Sequence, residues 1–140
     1  MEIIRAEKQR DFFEIVQLRT DVFVLEQEVD IKIEQDQRDL FCIHYLARLE
    51  DKPVGCLRIL DEDDHVSIGR VAVRKEMRGK HIGKALMLAI ENDPLVKEKG
   101  IIQLHAQLSA KDFYEKCGYA VTSDIYLEAG IEHVMMEKKL

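Results

Sequence analysis

A basic loop that contains two glycines carries the strongest chemical signal in this sequence. Five of the residues from 74 to 84 are Lys or Arg, in a chain whose net charge is −6. The apolar residues that follow, Ile82, Leu86, Ala89 and Ile90, have helical spacing, so the loop precedes a helix. Helix N-termini attract anions, and glycines let phosphate oxygens approach the backbone. The pattern predicts a polyanion site, and a basic helix cap on the surface is the other interpretation.

Two well-known phosphate motifs do not fit this loop. A P-loop has four residues between its glycines and a Ser or Thr after its Lys. Here Gly79 and Gly83 enclose three residues, and Lys84 is followed by Ala85. The dinucleotide fingerprint G-x-G-x-x-G is also absent, and the strands before the loop are predicted to be joined by hairpins. Any phosphate site here therefore belongs to another class.

The composition excludes several other classes of site and partner. The acidic net charge has the wrong sign for binding nucleic acid through its phosphates. Cys42, Cys56 and Cys117 contain no C-x-x-C pair, which favours three reduced, mostly buried thiols. The five His lack metal-binding spacing, so we expect no metal. No apolar run approaches the roughly 20 residues of a membrane span, so we expect a cytoplasmic protein without a membrane segment.

Alternating and helical spacings predict the elements that position the loop. Strands are predicted at residues 3–6, 42–50, 54–60, 66–73 and 101–108, followed by a final strand pair at 120–126 and 132–138. Helices are predicted at 11–23, 82–91 and 110–117, and the acidic residues 26–39 form a loop or a broken helix. Asp93 and Pro94 predict the N-cap and first residue of a short helical turn that ends at Gly100. Gly69 would tolerate a bulge or a close backbone approach inside its strand. Residues 109–112 match a helix capping box.

Chain length and element order together predict the fold. The 140 residues are enough for a single domain, residues 1–140, around one core. The order is strand, helix, three strands, helix, strand, helix and two strands. We therefore predict a mixed α/β (α+β) fold. Its central sheet would have about six to seven strands, antiparallel in the first half, with helices on both faces.

Three segments of the chain resemble the GNAT N-acetyltransferases. Residues 78–83 are similar to that family's Q/R-x-x-G-x-G/A loop, although His81 stands where a glycine is expected and requires a tolerated left-handed conformation or a negative φ. Residues 113–119 resemble the segment F-Y-x-x-x-G-[FY]. Residues 18–27, Gln107 and residues 129–133 resemble the small ElaA-like and YjcF-like branch. The resemblance covers nearly the whole chain.

The resemblance implies that acetyl-CoA is the cosubstrate. Its acetyl group would pass to a primary amine of a small molecule, such as an amino sugar like glucosamine 6-phosphate or a polyamine, by direct attack in a ternary complex. Backbone groups of Val71, Ala72 and Val73 would pair with the pantetheine arm. The pyrophosphate would lie on the basic loop, whose residues are Arg78, Gly79, Lys80, His81, Ile82, Gly83 and Lys84. Homodimers are common in this superfamily, but nothing in the sequence selects an interface.

The same resemblance suggests catalytic and acceptor-binding residues. Tyr114 would protonate the leaving thiolate, because a phenol can donate at neutral pH. Glu26 and His133 are the candidates for removing the acceptor's proton, directly or through water, and His105 is a further possibility. The acceptor pocket would contain Gln107, Phe23 and Gln27.

Two alternatives stay open at this stage. The acidic residues between 26 and 39 would suit a cationic amine, or they are a solvated loop. The second alternative is that the chain is not an enzyme but a non-catalytic acyl-CoA-binding or sensor module. The residue that best supports this alternative is His81 in the basic loop. Cys117 is expected to be a buried thiol rather than a nucleophile.

Overall fold

An eight-stranded mixed sheet runs through the computed structural model, which describes residues 1–140. The strands are β1 Glu2–Arg5, β2 Ile43–Leu49, β3 Lys52–Asp61, β4 Val66–Val73, β5 Ile101–Gln107, β6 Ala120–Val121, β7 Tyr126–Glu128 and β8 Ile131–Lys139. Their order in the sheet is β1-β2-β3-β4-β5-β8-β6, and β7 pairs with β8. The first four strands are antiparallel neighbours, β4 and β5 are parallel, and β8 is antiparallel to β5.

Helices cover both faces of this sheet. The α-helices are α1 Gln9–Arg19, α2 Ile31–Glu34, α3 Ile82–Ala89, α4 Pro94–Lys99 and α5 Lys111–Lys116. A π-helical segment, Thr20–Glu26, continues α1, and short 3-10 turns cover Gln37–Leu40, Lys75–Met77, Ile90–Asn92 and Leu108–Ala110. None of these helices combines the length and hydrophobicity that a membrane crossing needs.

Two apolar clusters fill the space on the two sides of the sheet. Leu46 belongs to a cluster with Leu18 of α1, whereas its neighbour Ala47 belongs to a larger cluster with Leu86 of α3. Successive side chains of a strand point to opposite faces, so α1 and α3 lie on opposite sides. This arrangement confirms the predicted mixed α/β fold with helices on both faces.

The C-terminal strands differ from the prediction. The predicted strand 120–126 is two separate short strands, because β8 is long enough to pair with both. Ala120 pairs with Glu137, and Tyr126 pairs with His133. The sheet therefore has eight strands rather than six or seven. The predicted capping box is wrong as well, since Ala110 is the N-cap of α5 and makes no side-chain capping bond.

A bulge interrupts β4 at its contact with β3. Gly69 pairs with Arg58 and Ala72 pairs with Cys56, so two residues of β4 lie opposite one residue of β3. The bulge lies just after the glycine at which it was expected, and Arg70 takes the positive φ of 53°. On its other side, β4 pairs with β5 only from Val66 to Ile68. Beyond that point the two parallel strands separate and leave an opening.

Candidate active site

The opening between β4 and β5 leads into a cavity of about 600 Å³. Its wall includes β4, the end of β5, the π-helical segment, α5 and the β7–β8 hairpin. Seven site candidates named from the sequence line this cavity together: Phe23, Gln27, Val71, His105, Gln107, Tyr114 and His133. They come from segments more than 100 residues apart in the chain, and only the pairing of β8 with β5 brings the last of them into place.

Tyr114 lies on α5 and is almost fully buried beneath the cavity. Its ring packs edge-on against Phe113 and Tyr119, with centroid separations of 5.0 Å and 6.1 Å. Burial raises the pKa of the Tyr114 phenol well above its ordinary value. The hydroxyl therefore stays protonated at neutral pH and is available as a hydrogen donor.

His133 presents one ring nitrogen to the cavity. Its Nδ1 lies 2.7 Å from the carbonyl oxygen of Ile131. A carbonyl can only accept, so Nδ1 carries a proton, and in the neutral tautomer the lone pair is at Nε2. That Nε2 lies 3.5 Å from a carboxylate oxygen of Glu128, which also lines the cavity. The arrangement suits a proton acceptor.

A second imidazole stands beside the first. His105 Nδ1 lies 2.5 Å from the Tyr126 hydroxyl and 3.4 Å from Glu128. The Tyr126 ring stacks on His133 with centroids 6.0 Å apart. The pairing of Tyr126 with His133 across β7 and β8 creates this group. Sequence reasoning missed both Tyr126 and Glu128, because β7 was not resolved as a separate strand.

Glu26 does not line the cavity. Both of its carboxylate oxygens accept hydrogen bonds from Arg78, at 2.5 Å and 2.7 Å. The Arg78 hydrogen bonds lower the pKa of Glu26 further than the small effect of burial raises it. The structure thus pairs a residue proposed as the base with a residue proposed to bind pyrophosphate, and a carboxylate held in this way is a weak base.

Two residues of the basic loop have a left-handed backbone. His81 adopts a left-handed conformation, with φ 62° and ψ 19°, and Gly79 has φ 78°. His81 is the N-cap of α3 and makes no side-chain capping bond. Lys80 and Lys84 are exposed and form no ion pair. The loop therefore retains unpaired positive charge although Arg78 is bound to Glu26.

Gly83 and the backbone of β4 have packing roles as well. A Cβ atom on Gly83 would lie 3.1 Å from the ring of Phe113, so α3 and α5 approach closely at this glycine. Ala72 is buried in the cluster beneath α1, and only its backbone is available to the opening. The carbonyl oxygen of Val73 accepts a hydrogen bond from Arg78 Nε at 3.1 Å.

The acidic segment is neither a solvated loop nor a free acidic pocket. Arg19 contacts Glu34 at 2.9 Å and Asp39 at 2.7 Å, and both Arg19 and Glu34 are buried. Asp39 also accepts from Arg58. Burial by itself would raise the pKa of Asp39, but the hydrogen bonds and charges of the two arginines outweigh it and lower that pKa to about 2. Much of the segment's negative charge is thus neutralised inside the protein.

The three cysteines are free thiols, and two of them are buried. Burial raises the pKa of Cys56 to about 12 and also raises that of Cys117, so neither thiol is a nucleophile at neutral pH. Cys42 lies in a small cluster with His44 and Asp39, whose potential ligand atoms are within 4.8 Å of one another. In this cluster the Asp39 carboxylate is already held by two guanidinium groups, which compete with a cation.

Comparison with known proteins decides the family. Residues 18–140 match the family model described as the acetyltransferase (GNAT) domain. The chain belongs to the GNAT acetyltransferase family. Bacillus subtilis YjcF, named as an N-acetyltransferase, is 32% identical over 99% of each chain. This GNAT chain is also similar to the crystal structure of a Lactobacillus plantarum protein described as an N-acetyltransferase, with TM-score 0.91 and 32% identity over 99% and 97% of the two chains.

A further solved relative supports the branch. Escherichia coli ElaA has TM-score 0.85 and 28% identity over 99% of this GNAT chain and all of its own. The resemblance to ElaA and YjcF predicted from residues 18–27, Gln107 and residues 129–133 is confirmed. The predicted enzyme class, an acetyl-CoA-dependent acyltransferase, is confirmed by the family.

Proposed function

We propose that this GNAT domain transfers the acetyl group of acetyl-CoA to a primary amine of a small molecule bound in the cavity between β4 and β5. The observation that carries the proposal is the placement of a protonated phenol, Tyr114, and an imidazole lone pair, His133, on the wall of one cavity. Acetyl transfer to an ammonium needs both a proton acceptor for the amine and a proton donor for the thiolate.

The cosubstrate would lie across the opening where β4 leaves β5. Beyond Ile68 the backbone of β4 pairs with no strand on the β5 side, so Val71, Ala72 and Val73 would pair with the amides of the pantetheine arm as an added strand does. A backbone N–H there would polarise the thioester carbonyl. Pyrophosphate would contact the basic loop, residues 78–84, where Lys80 and Lys84 carry unpaired charge.

The reaction follows from these positions. His133 Nε2 takes a proton from the acceptor ammonium, directly or through water, and leaves a neutral amine. The amine nitrogen attacks the thioester carbon, and the C–S bond breaks as the new C–N bond forms. Tyr114 gives its proton to the leaving thiolate, and the acetylated nitrogen returns its second proton to the Tyr114 phenolate, directly or through water. The products are the N-acetylated amine and free CoA. We assign proton removal to His133 instead of Glu26, because Glu26 does not line the cavity and is held by Arg78.

Gln107 and Gln27 would orient the acceptor. Their side-chain amides are joined by a hydrogen bond of 3.0 Å, which connects the end of β5 to the end of the π-helical segment. Phe23 adds an apolar surface to the same wall. Homodimer formation and a cytoplasmic location stay predictions from the sequence.

The proposal is tested by separating binding from turnover. We expect acetyl-CoA and CoA to bind in a calorimetric titration, and thiol release to accompany acetylation of at least one amine in a panel. Tyr114→Phe should lower turnover by about 100-fold or more and leave the acetyl-CoA Kd unchanged within about twofold. Tyr119→Phe is the matched control, because the buried Tyr119 hydroxyl has no hydrogen-bond partner.

Three other outcomes would contradict the proposed function or change a residue's role in it. No acetyl-CoA binding contradicts the proposed function. Binding without turnover of any amine favours the non-catalytic acyl-CoA-binding module. Full turnover by Tyr114→Phe would show that another group protonates the thiolate.

A further inference from the structure

Most charged side chains on the cavity wall are paired with a side chain of opposite charge. Three arginines line the cavity, and each is already paired with a carboxylate. The pairs are Arg38 with Glu62 at 2.6 Å, Arg58 with Asp36 at 2.7 Å, and Arg70 with Glu34 at 3.0 Å. No lysine lines the cavity. Arg58 Nε has no hydrogen-bond partner, but it is buried out of reach of solvent and cannot meet an anion in the cavity.

Glu128 is the exception among the lining carboxylates. The other three have an arginine partner, whereas the groups nearest Glu128 are His105 and His133, at 3.4 Å and 3.5 Å. Its side chain is half exposed. Unlike a guanidinium, an imidazole carries no permanent charge. Glu128 is therefore the one lining carboxylate without a permanently cationic partner, and it lies beside the imidazole that we assign as the base.

We infer that the acceptor is an aliphatic amine whose charges are all positive, and that Glu128 selects it. This inference rests on the proposed function, because it concerns the acceptor of the same site. A carboxylate facing the cavity attracts an ammonium and repels an acidic substituent. A phosphate or carboxylate on the acceptor would have to share or displace the carboxylate that already holds each lining arginine. Amines with a phosphate or carboxylate group, glucosamine 6-phosphate among them, are therefore disfavoured acceptors.

The test uses acceptors of matched shape and different charge. The probes are 1,4-diaminobutane, butylamine and 4-aminobutanoate, with glucosamine and glucosamine 6-phosphate as a second set. We expect kcat/KM for the diamine to exceed that for 4-aminobutanoate by at least about 30-fold, with butylamine between them, and glucosamine to exceed its phosphate by at least about tenfold.

Variants identify the residue responsible. Glu128→Gln should reduce the diamine to 4-aminobutanoate ratio to below about fivefold, chiefly by raising KM for the diamine. Glu132→Gln is the matched control, since Glu132 lies on the same hairpin, is exposed and does not line the cavity. It should leave the ratio unchanged. A preference for the phosphate or the amino acid, or an unchanged ratio in Glu128→Gln, overturns the inference.

Acceptor binding measured without turnover separates this inference from the proposed function. Calorimetric titration of each amine into the free and the CoA-saturated protein should rank the affinities in the same order, with 1,4-diaminobutane the tightest and 4-aminobutanoate the weakest. If turnover is absent but the cationic amines still bind more tightly than the acidic ones, the charge inference survives and the catalytic proposal fails. If acetyl-CoA binds and turns over but the affinities of the amines do not follow their charge, the catalytic proposal survives and the charge inference fails.

Discussion

Arg78 donates one hydrogen bond to each carboxylate oxygen of Glu26, and this pair connects the basic loop to the end of the π-helical segment. Gln27, the next residue along the chain, bonds to Gln107 in the cavity wall. The pair is partly exposed, with 41% and 31% of the two side chains accessible. Exposed ion pairs are readily replaced by other partners, so a pyrophosphate can compete with Glu26 for the guanidinium.

The first prediction concerns this competition. Glu26→Gln should lower the CoA Kd by about two- to fivefold, because Arg78 no longer has a carboxylate partner, and Arg78→Ala should raise it by roughly tenfold. Asp21→Asn is a matched control, since it breaks the 2.6 Å pair between Asp21 and Arg74, which is outside the predicted pyrophosphate site. Calorimetry gives the CoA Kd of the wild type and of the three variants. Loss of turnover in Glu26→Gln with an unchanged Kd would restore Glu26 as the base.

A second prediction distinguishes the two imidazoles of the cavity. His133→Asn should lower kcat by about 100-fold or more with a similar acetyl-CoA Kd, as expected for loss of a general base. His105→Asn should have a smaller effect, because His105 contacts Glu128 and Tyr126 but is about half exposed. His65→Asn, which changes a histidine paired with Asp64 outside the cavity, serves as the control. The opposite ranking of the two cavity variants would assign the base to His105.

The third prediction is a loss of stability in acid through Asp39. Its pKa is about 2 in the folded protein against an ordinary value of 3.8, so the unfolded chain binds the proton first as the pH falls. The stabilisation is complete above the ordinary pKa and is lost as the pH falls through the folded value. Its full size is about 2 kcal/mol, from about 1.4 kcal/mol for each pKa unit.

Urea unfolding at two pH values measures this contribution. The difference in free energy of unfolding between the wild type and Asp39→Asn should narrow by about 1 to 2 kcal/mol from about pH 6 to about pH 2.5. Glu132→Gln should show no comparable change. A constant difference for Asp39→Asn would contradict the assigned role of the two arginine contacts.

Local signals allowed much of the fold and the basic loop to be predicted. Asp93 caps α4 by accepting from the Leu95 N–H at 2.9 Å, Pro94 is the first helical residue, and Gly100 ends the helix with φ 72°. These interactions join residues a few positions apart, so the residue types alone specify them. The start of α3 at Ile82 was predicted for the same reason.

Contacts between distant residues could not be predicted in this way. Arg19, Arg58 and Arg70 meet the acidic segment from three different elements. The segment is therefore a largely neutral network, which neither of the two interpretations of the sequence included. The His105–Tyr126 contact depends on β7 and β5 lying on either side of β8.

The sequence by itself determined the order of elements, the basic loop before α3 and the family, because each depends on residue types close together in the chain. Only the tertiary structure decided that Glu26 faces Arg78 instead of the cavity and that Glu128 stands there without an arginine. A side chain's charge is known from its residue type, whereas the partner that compensates it depends on how the strands pair and the helices pack.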